Sequence, residues 1–464
     1  MPATSAGKIE FSCSEFVSVS LVSLMDALNL AQTTRPSASS APRLSCLDAL
    51  RSWMMLLGIV LHTANAHAIG CPHWWPVTDR YRHGIFDLFS FATHSFRMEV
   101  FFLLSGFFGR LLLRRYGLSG FVVNRGRRVL LPLAIGIVLM VAVQSGASWY
   151  FTAPGTAPAR FPDYVCIPWP SEVVVSAVHL WHPWFCHLWF LEYLSLFYVA
   201  MVLLDVVLSG RGSRWLDSWE RRLAWLIRQA WMPLAAAAVT MVALLPMRSW
   251  VVDTPLSMVP QCRFFLYYGP FVALGWMMHR NTGLLTSMAR HWNRRNSIGL
   301  VLSAGVLAGL LWNVGSVPAH ASWITTFAIR AVSSLCTWLA LLQILGAVVV
   351  MLGKPSPMLR YLADASYWCY LVHLPIVLWL QGALPPGLTG MIRFGVVLLI
   401  ATAVSLASYH LFVRYTLLNE VFGSRRPTRA ATATGAEIQA CQDAEPLSEA
   451  PSSAGLAANS RVMR

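Results

Sequence analysis

Histidine, arginine and carboxylate side chains recur along this chain inside stretches that are otherwise apolar, at spacings that bring them to common helix faces. The segment from Leu47 to Asn65 carries Asp48, Arg51, His62 and Asn65. At about 100° per residue these four fall near phases of about 0°, 300°, 320° and 260°, one stripe about 100° wide that also holds Met55 and Gly58. Arg51 and His62 stand about 16 Å apart along such a helix, three turns. A histidine in an apolar setting suits proton removal from a hydroxyl, or nucleophilic attack. An arginine near a helix end suits an anionic group, with Asp48 as its neighbour one turn away. A snorkelling Asp48–Arg51 pair and a buried structural histidine are the competing assignments.

The next apolar block carries His94, Arg97 and Glu99. On a continuous helix His94, Arg97, Phe101 and Ser105 share a face and Glu99 points elsewhere, so Arg97 and Glu99 each require a partner on another helix. Further along come His187, Trp189 and Glu192, then Tyr370 and His373 three residues apart. His187 and Trp189 also fit a role as interfacial anchors. Together, His62, His94, Arg97, His187, Glu192 and His373 belong to the outer half of a bilayer. Arg51 and the turn Asn124–Arg128, with Arg125 and Arg128, belong to the inner side. A basic inner mouth suits a polyphosphate such as the nucleotide end of coenzyme A, and a histidine-lined outer chamber suits general-base chemistry. For any one of these arginines, a topology signal is the competing assignment.

Composition dictates the elements that hold these groups. Of 464 residues, 56% are hydrophobic and only 12% charged, mean hydropathy is +0.56, and Lys+Arg exceed Asp+Glu by 35 − 20 = 15. A soluble domain of this length carries about 25% charged residues. A soluble enzyme, a secreted disulfide scaffold and a disordered chain are excluded, and the scattered arginines between apolar blocks do not describe a nucleic-acid surface. The nine cysteines show no metal-ligand spacing, and no metal site is expected.

Ten apolar blocks are long enough to span, near 47–69, 87–110, 129–150, 186–208, 230–247, 263–279, 297–315, 324–352, 366–384 and 391–413. Helices are the economical form for them in lipid. With the N-terminus inside, the basic clusters at 110–128, 211–228, 280–295, 354–360 and 414–429 hold 21 Lys and Arg on the inner side. Only Arg80, Arg82 and Arg160 lie clear of the membrane on the outer side. The expectation is an all-α polytopic membrane protein with both termini cytoplasmic. Residues 1–42 form a flexible arm, 43–415 the membrane domain, and 416–464 a disordered tail.

Several of these segments, in this order, resemble the acyltransferase 3 family of integral membrane acyltransferases. They are Leu47–Arg51 with His62 eleven positions on, His94–Gly106, Arg125–Arg128 before Pro132, His187–Leu191 and Tyr367–His373. The resemblance spans about 43–415 and is nearest to the family's glucan-biosynthesis branch, whose members are implicated in succinylating periplasmic glucans. It implies that His62 is the essential histidine and that Arg51 handles the donor or organises the site. It also implies transfer of an acyl group from cytoplasmic acyl-CoA, as co-substrate with no bound cofactor, to a carbohydrate hydroxyl. Sugar O-acetylating relatives place acids further along the fourth-helix motif, where this chain has Leu194 and Ser195; the acid here is Glu192.

Two mechanisms stay open at this stage, general-base attack and a covalent acyl-histidine relay. The competing functions are a secondary transporter, which calls for repeat symmetry absent from this sequence, and a membrane sensor with structurally paired charges. The expected setting is the bacterial inner membrane, with membrane lipids as surroundings and no nucleic acid as partner.

Overall fold

The computed structural model describes residues 45–70, 75, 77–140, 186–208, 213–247, 249, 251–255, 259–314, 322–351, 357–385, 388 and 390–422. All regular structure among them is helical. The helices are α1 (Ser45–Asn65), α2 (Gly84–His94), α3 (Arg97–Arg125), α4 (Trp189–Leu208), α5 (Ser213–Arg228), α6 (Met232–Leu244) and α7 (Cys262–Arg280). They continue as α8 (Gly283–Ala289), α9 (Arg294–Val314), α10 (Trp323–Met351), α11 (Pro357–Ala383), α12 (Gly390–Ser408) and α13 (Asn419–Phe422). A π-helical turn, Gly126–Leu130, carries the chain from α3 into further helix over 131–140, and a second, Tyr409–Val413, extends α12. The arm 1–42 lies outside the described residues, as does the tail beyond 422. The chain stays packed past the expected boundary at 415, with Phe422 buried against Trp368 at 5.2 Å.

Where the described residues cover them, the ten apolar blocks lie on helix, with one clear difference. The block at 87–110 is two helices. Ser95 closes α2, its N–H and its Oγ both donating to the Phe91 carbonyl, and Phe96 leaves helical geometry at φ −142°, ψ −20°. His94 and Arg97 therefore do not share one continuous helix face. The sequence signal is silent here because the break uses a serine, a residue tolerated inside helices, and an aromatic. Further on, α3 bends at Gly117, whose φ of 67° lies in the left-handed region that glycine enters without a Cβ clash.

Four helical stretches are long and apolar enough to cross a membrane: Cys46–Asn65, Trp189–Val207, Trp323–Met351 and Gly390–Val413. The α5–α6 pair, bent by 116°, would make a fifth. Helices α3, α7 and α11 are long enough but do not reach that apolarity.

With no hydrophobic drive between helices in lipid, close approach and polar pairing must hold them together. The seam between α3 and α7 shows both. A Cβ at Gly106 would overlap the Val272 carbonyl, and one at Gly275 would overlap the Leu103 carbonyl, so each backbone lies directly on the other. Beside the seam Phe102 stacks on Tyr268 at 4.3 Å, and the fully buried Glu99 accepts a hydrogen bond from Tyr267 Oη at 2.7 Å. Helix α1 packs along α11, α12 packs on α11, and α6, α8 and α9 pack on α10.

Candidate active site

Three imidazoles from three helical elements meet beside the C-terminal end of α1. The His62 ring centroid lies 5.2 Å from that of His373 on α11, and His373 lies 5.2 Å from His187, in the turn that opens α4. Tyr370, one turn before His373, sets its ring 5.0 Å from His187 and donates from Oη to the His187 carbonyl at 2.6 Å. That bond fixes the α4 entry against α11. His373 Nδ1 lies 2.8 Å from the carbonyl oxygens of Cys369 and Tyr370. It must therefore be the protonated nitrogen, which leaves Nε2 as an acceptor. His373 Nε2, His62 Nδ1 and both nitrogens of His187 are buried without a hydrogen-bond partner among the described residues. Buried imidazole nitrogens left open at one place are what a proton-transfer site provides.

The His62 ring is held from its other side by residues the sequence did not flag. Trp75, from the segment after α1, stacks on it almost parallel, 2° between planes and 5.6 Å between centroids. Trp75 Nε1 donates to Gln381 Oε1 at 3.1 Å, and Gln381 Nε2 donates to the carbonyls of Thr63 at 3.1 Å and His62 at 3.3 Å, at the last turn of α1. One buried amide on α11 thus ties the end of α1 and the covering indole together. The Gln381 carbonyl accepts from Arg393 Nη2 at 2.6 Å, and Arg393 Nη1 lies 3.3 Å from Asp79, which is itself 3.7 Å from His67. A polar side chain inside an apolar helix is a signal that could have singled out Gln381. Trp75 carries no such signal.

Arg97 lies across α1 one turn before His62: a Cβ at Gly58 would overlap its Nη1, so the guanidinium rests directly on the glycine. It stands within electrostatic reach of His62, His187 and His373. His94, the last residue of α2, holds its Nδ1 2.8 Å from the Ser90 carbonyl and lies within electrostatic reach of His62 and Arg97. Two expected site residues fall elsewhere. Trp189 packs among Phe102, Tyr193 and Tyr268, in the aromatic layer between α3, α4 and α7. Glu192 is half-buried one turn further along α4, and no described contact joins it to the histidines.

At the other end of α11 lies a basic cluster. Arg51 Nη2 donates to the Ala363 carbonyl at 2.9 Å and lies 3.7 Å from Asp48, so this arginine bridges α1 and α11. Arg125 reaches Tyr198 Oη at 3.3 Å, and the Arg128 carbonyl accepts from Tyr367 Oη at 2.7 Å. Arg51 and Arg128 lie within electrostatic reach of each other. Helix α11 is therefore a rail: Ala363 meets Arg51, Tyr367 meets Arg128, Tyr370 meets His187, and His373 meets His62. The ten residues from 363 to 373 place the basic cluster about 15 Å from the imidazoles. Among the described residues no group of His, Cys, Asp and Glu is arranged to hold a metal ion.

A bundle of apolar helices surrounds buried histidines, with arginines about 15 Å away along α11, an arrangement that suits an integral membrane group-transfer enzyme. The family model described as "Acyltransferase domain", acyltransferase 3, matches residues 44–410, and the chain belongs to that family; it is a membrane acyltransferase. Among curated proteins it is similar to "Glucans biosynthesis protein C" of Salmonella schwarzengrund (strain CVM19633), 25% identical over 417 residues, covering 85% of this chain and 98% of the relative. The proteins of the same name from Salmonella heidelberg (strain SL476) and Salmonella typhi are each 26% identical with the same coverage. No solved structure matches the chain.

Proposed function

We propose that this protein transfers an acyl group, succinyl or acetyl, from cytoplasmic acyl-CoA to a hydroxyl of a carbohydrate, such as a periplasmic glucan or another cell-surface glycan. The observation that carries the reading is the α11 rail, with open imidazole nitrogens at one end and a three-arginine cluster about 15 Å away at the other. Arg51, Arg125 and Arg128 hold the donor's phosphates, and the thioester arm reaches along α11 toward His62. His62 accepts the proton of the acceptor hydroxyl as its oxygen bonds to the thioester carbonyl carbon. Arg97 faces the oxyanion that forms. Collapse of that intermediate breaks the carbon–sulfur bond, and the proton on His62 leaves with the thiolate. No bound cofactor takes part. The names of the relatives support a glucan acceptor, and the fourth-helix acid pattern fits the same branch.

The setting we propose is a bacterial inner membrane, with ten spans and both termini cytoplasmic, on the bias of 21 inner against three outer basic residues. The test is acyl transfer in membranes carrying wild-type protein or His62→Ala, given labelled acetyl- and succinyl-CoA with glucan and lipid-linked sugar acceptors. Label enters one acceptor with the wild type and is lost in a folded His62→Ala protein. Transfer that survives in His62→Ala removes the proposed base.

A further inference from the structure

Helices α5 and α6 meet at a bend of 116°, which lays α5 nearly across α6 rather than along it. Helix α6 is apolar, and Leu234, Val239 and Val242 on it are exposed, so its outward face suits lipid. Three tryptophans gather on α5 and at the bend: Trp219, Trp225 and Trp231 are 48%, 59% and 45% exposed. The rings of Trp225 and Trp231 lie 6.0 Å apart. Exposed tryptophan is at home at the boundary between hydrocarbon and water, so α5 emerges at that boundary and turns along it.

One face of α5 is docked on the protein. Leu216 and Ile227 are buried, and the Ile227 carbonyl accepts from His291 Nε2 at 2.6 Å. Glu220 accepts from Arg280 Nε at 2.6 Å and from Asn281 Nδ2 at 3.0 Å, and Asp217 also pairs with Arg280. Counted at about 100° per residue from Leu216, these two acids fall near about 100° and 40°. Arg228, Arg221, Trp225, Arg222 and Trp219 follow in that order from about 120° round to 300°. Arg221, Arg222 and Arg228 are exposed, and none pairs with a carboxylate among the described residues. The charges do not cancel, since these three arginines and Arg280 meet only Asp217 and Glu220, both engaged by Arg280. Arg222 lies over the Trp219 ring at 5.8 Å, a stacking that leaves its N–H edge to solvent.

We propose that the outward face of α5 binds anionic phospholipid headgroups at the membrane surface. Arg221, Arg222 and Arg228 face the phosphates, and Trp219, Trp225 and Trp231 sit at headgroup level. Arginines interleaved with tryptophan on one face of a helix that leaves the bilayer suit an anionic interface, and such a surface needs no pocket. Guanidinium is the cation best shaped for phosphate oxygens. In the orientation proposed above that surface is the inner leaflet. The inference is independent of acyl transfer at His62.

The experiment uses the full chain purified in detergent, with dioleoyl phosphatidylglycerol titrated against dioleoyl phosphatidylcholine and retained lipid counted by native mass spectrometry. Wild type is expected to retain phosphatidylglycerol in preference. Each arginine beside an anionic surface contributes about fivefold, so Arg221→Gln/Arg222→Gln/Arg228→Gln should weaken that retention about tenfold or more. The corresponding triple lysine variant should keep most of it, because charge is preserved. Arg80→Gln, which removes an exposed charge between α1 and α2, should leave it unchanged. Absence of a preference in wild type, or its persistence in the triple glutamine variant, overturns the inference. A loss in Arg80→Gln as large as that in Arg222→Gln overturns it too, since the effect would then belong to net charge and not to α5. If the triple variant does not fold, Arg221→Gln, Arg222→Gln and Arg228→Gln singly should each weaken retention about fivefold. No change in any of the three overturns the inference equally.

Discussion

At the scale of single residues, the site rests on side chains whose partners are backbone groups. Gln381 is 2% exposed and satisfies two carbonyls of α1 and the indole of Trp75 with one amide. Gln381→Leu keeps the volume and removes all three bonds, leaving buried polar atoms unmet at about 1–3 kcal/mol. The expected outcome is a folded protein with kcat for acyl transfer reduced about tenfold and donor KM unchanged, because the donor's arginines lie at the far end of α11. Steady-state kinetics with labelled acyl-CoA checks this split. His67, beyond the end of α1, is held below its ordinary value of 6.5 chiefly by burial and also by Arg393, against opposing contributions from Asp79 and the Tyr81 backbone. The folded state keeps this ring neutral while the unfolded chain protonates it near 6.5. Stability is therefore full above about pH 6.5 and declines as pH falls toward the lower folded value. Thermal melts between pH 5 and 7 should show that slope, flatter in His67→Leu, whose side chain still packs between Phe86 and Phe394. Much of this arrangement was legible in the sequence: His62, Arg51, Arg97, His187, Tyr370 and His373 announce themselves as polar groups in apolar segments. Gln381 carries the same signal, but its role, like that of Trp75, is set by a contact between residues 306 positions apart.

At the scale of elements, helices that carry charge compensate by approaching closely. Gly106 and Gly275 let α3 and α7 meet backbone to backbone, which brings Glu99 to Tyr267 and Phe102 to Tyr268. Gly275→Val places a side chain where the Leu103 carbonyl lies and must separate the helices, at a cost well above the 1–3 kcal/mol typical of overpacking. Gly305 on α9 has open space where a Cβ would stand, with nothing within 4 Å, so Gly305→Ala adds helix propensity without a clash. Fluorescence-detected size exclusion after a heat step should show Gly275→Val lost from the folded peak, and Gly305→Ala at or above wild type. The seam was partly visible beforehand, because Gly106 lies within the motif that begins at His94. The break at Ser95–Phe96 was not, because neither residue type ends a helix by its own propensity. It takes the fixed bond from Ser95 Oγ to the Phe91 carbonyl to set α2 apart from α3.

At the scale of the whole molecule, function and topology depend on each other. The site draws on helices of both kinds: α1, which carries Arg51 and His62, is apolar enough to span, whereas α3 and α11, with Arg97, Tyr370 and His373, are not among the candidate spans. Their polar residues face one another rather than lipid, Arg97 across Gly58, Glu99 to Tyr267, and His373 beside His62 and His187. Apolar length and basic loops outline such a membrane protein from its sequence, but the pairing of α1 with α11 is a long-range contact that no local period encodes. The proposed orientation has a consequence that can be measured. If the donor's phosphates enter from the cytoplasm, Arg125 and Arg128 lie inside while Arg80 and Arg82 lie outside. Alkaline phosphatase fused after Arg82 should be active in intact cells, and the same reporter fused after Phe422 should be inactive, with a green fluorescent protein fusion there bright. The reverse pattern would place the arginine cluster on the side that lacks acyl-CoA, and the proposed direction of transfer along α11 would fall with it.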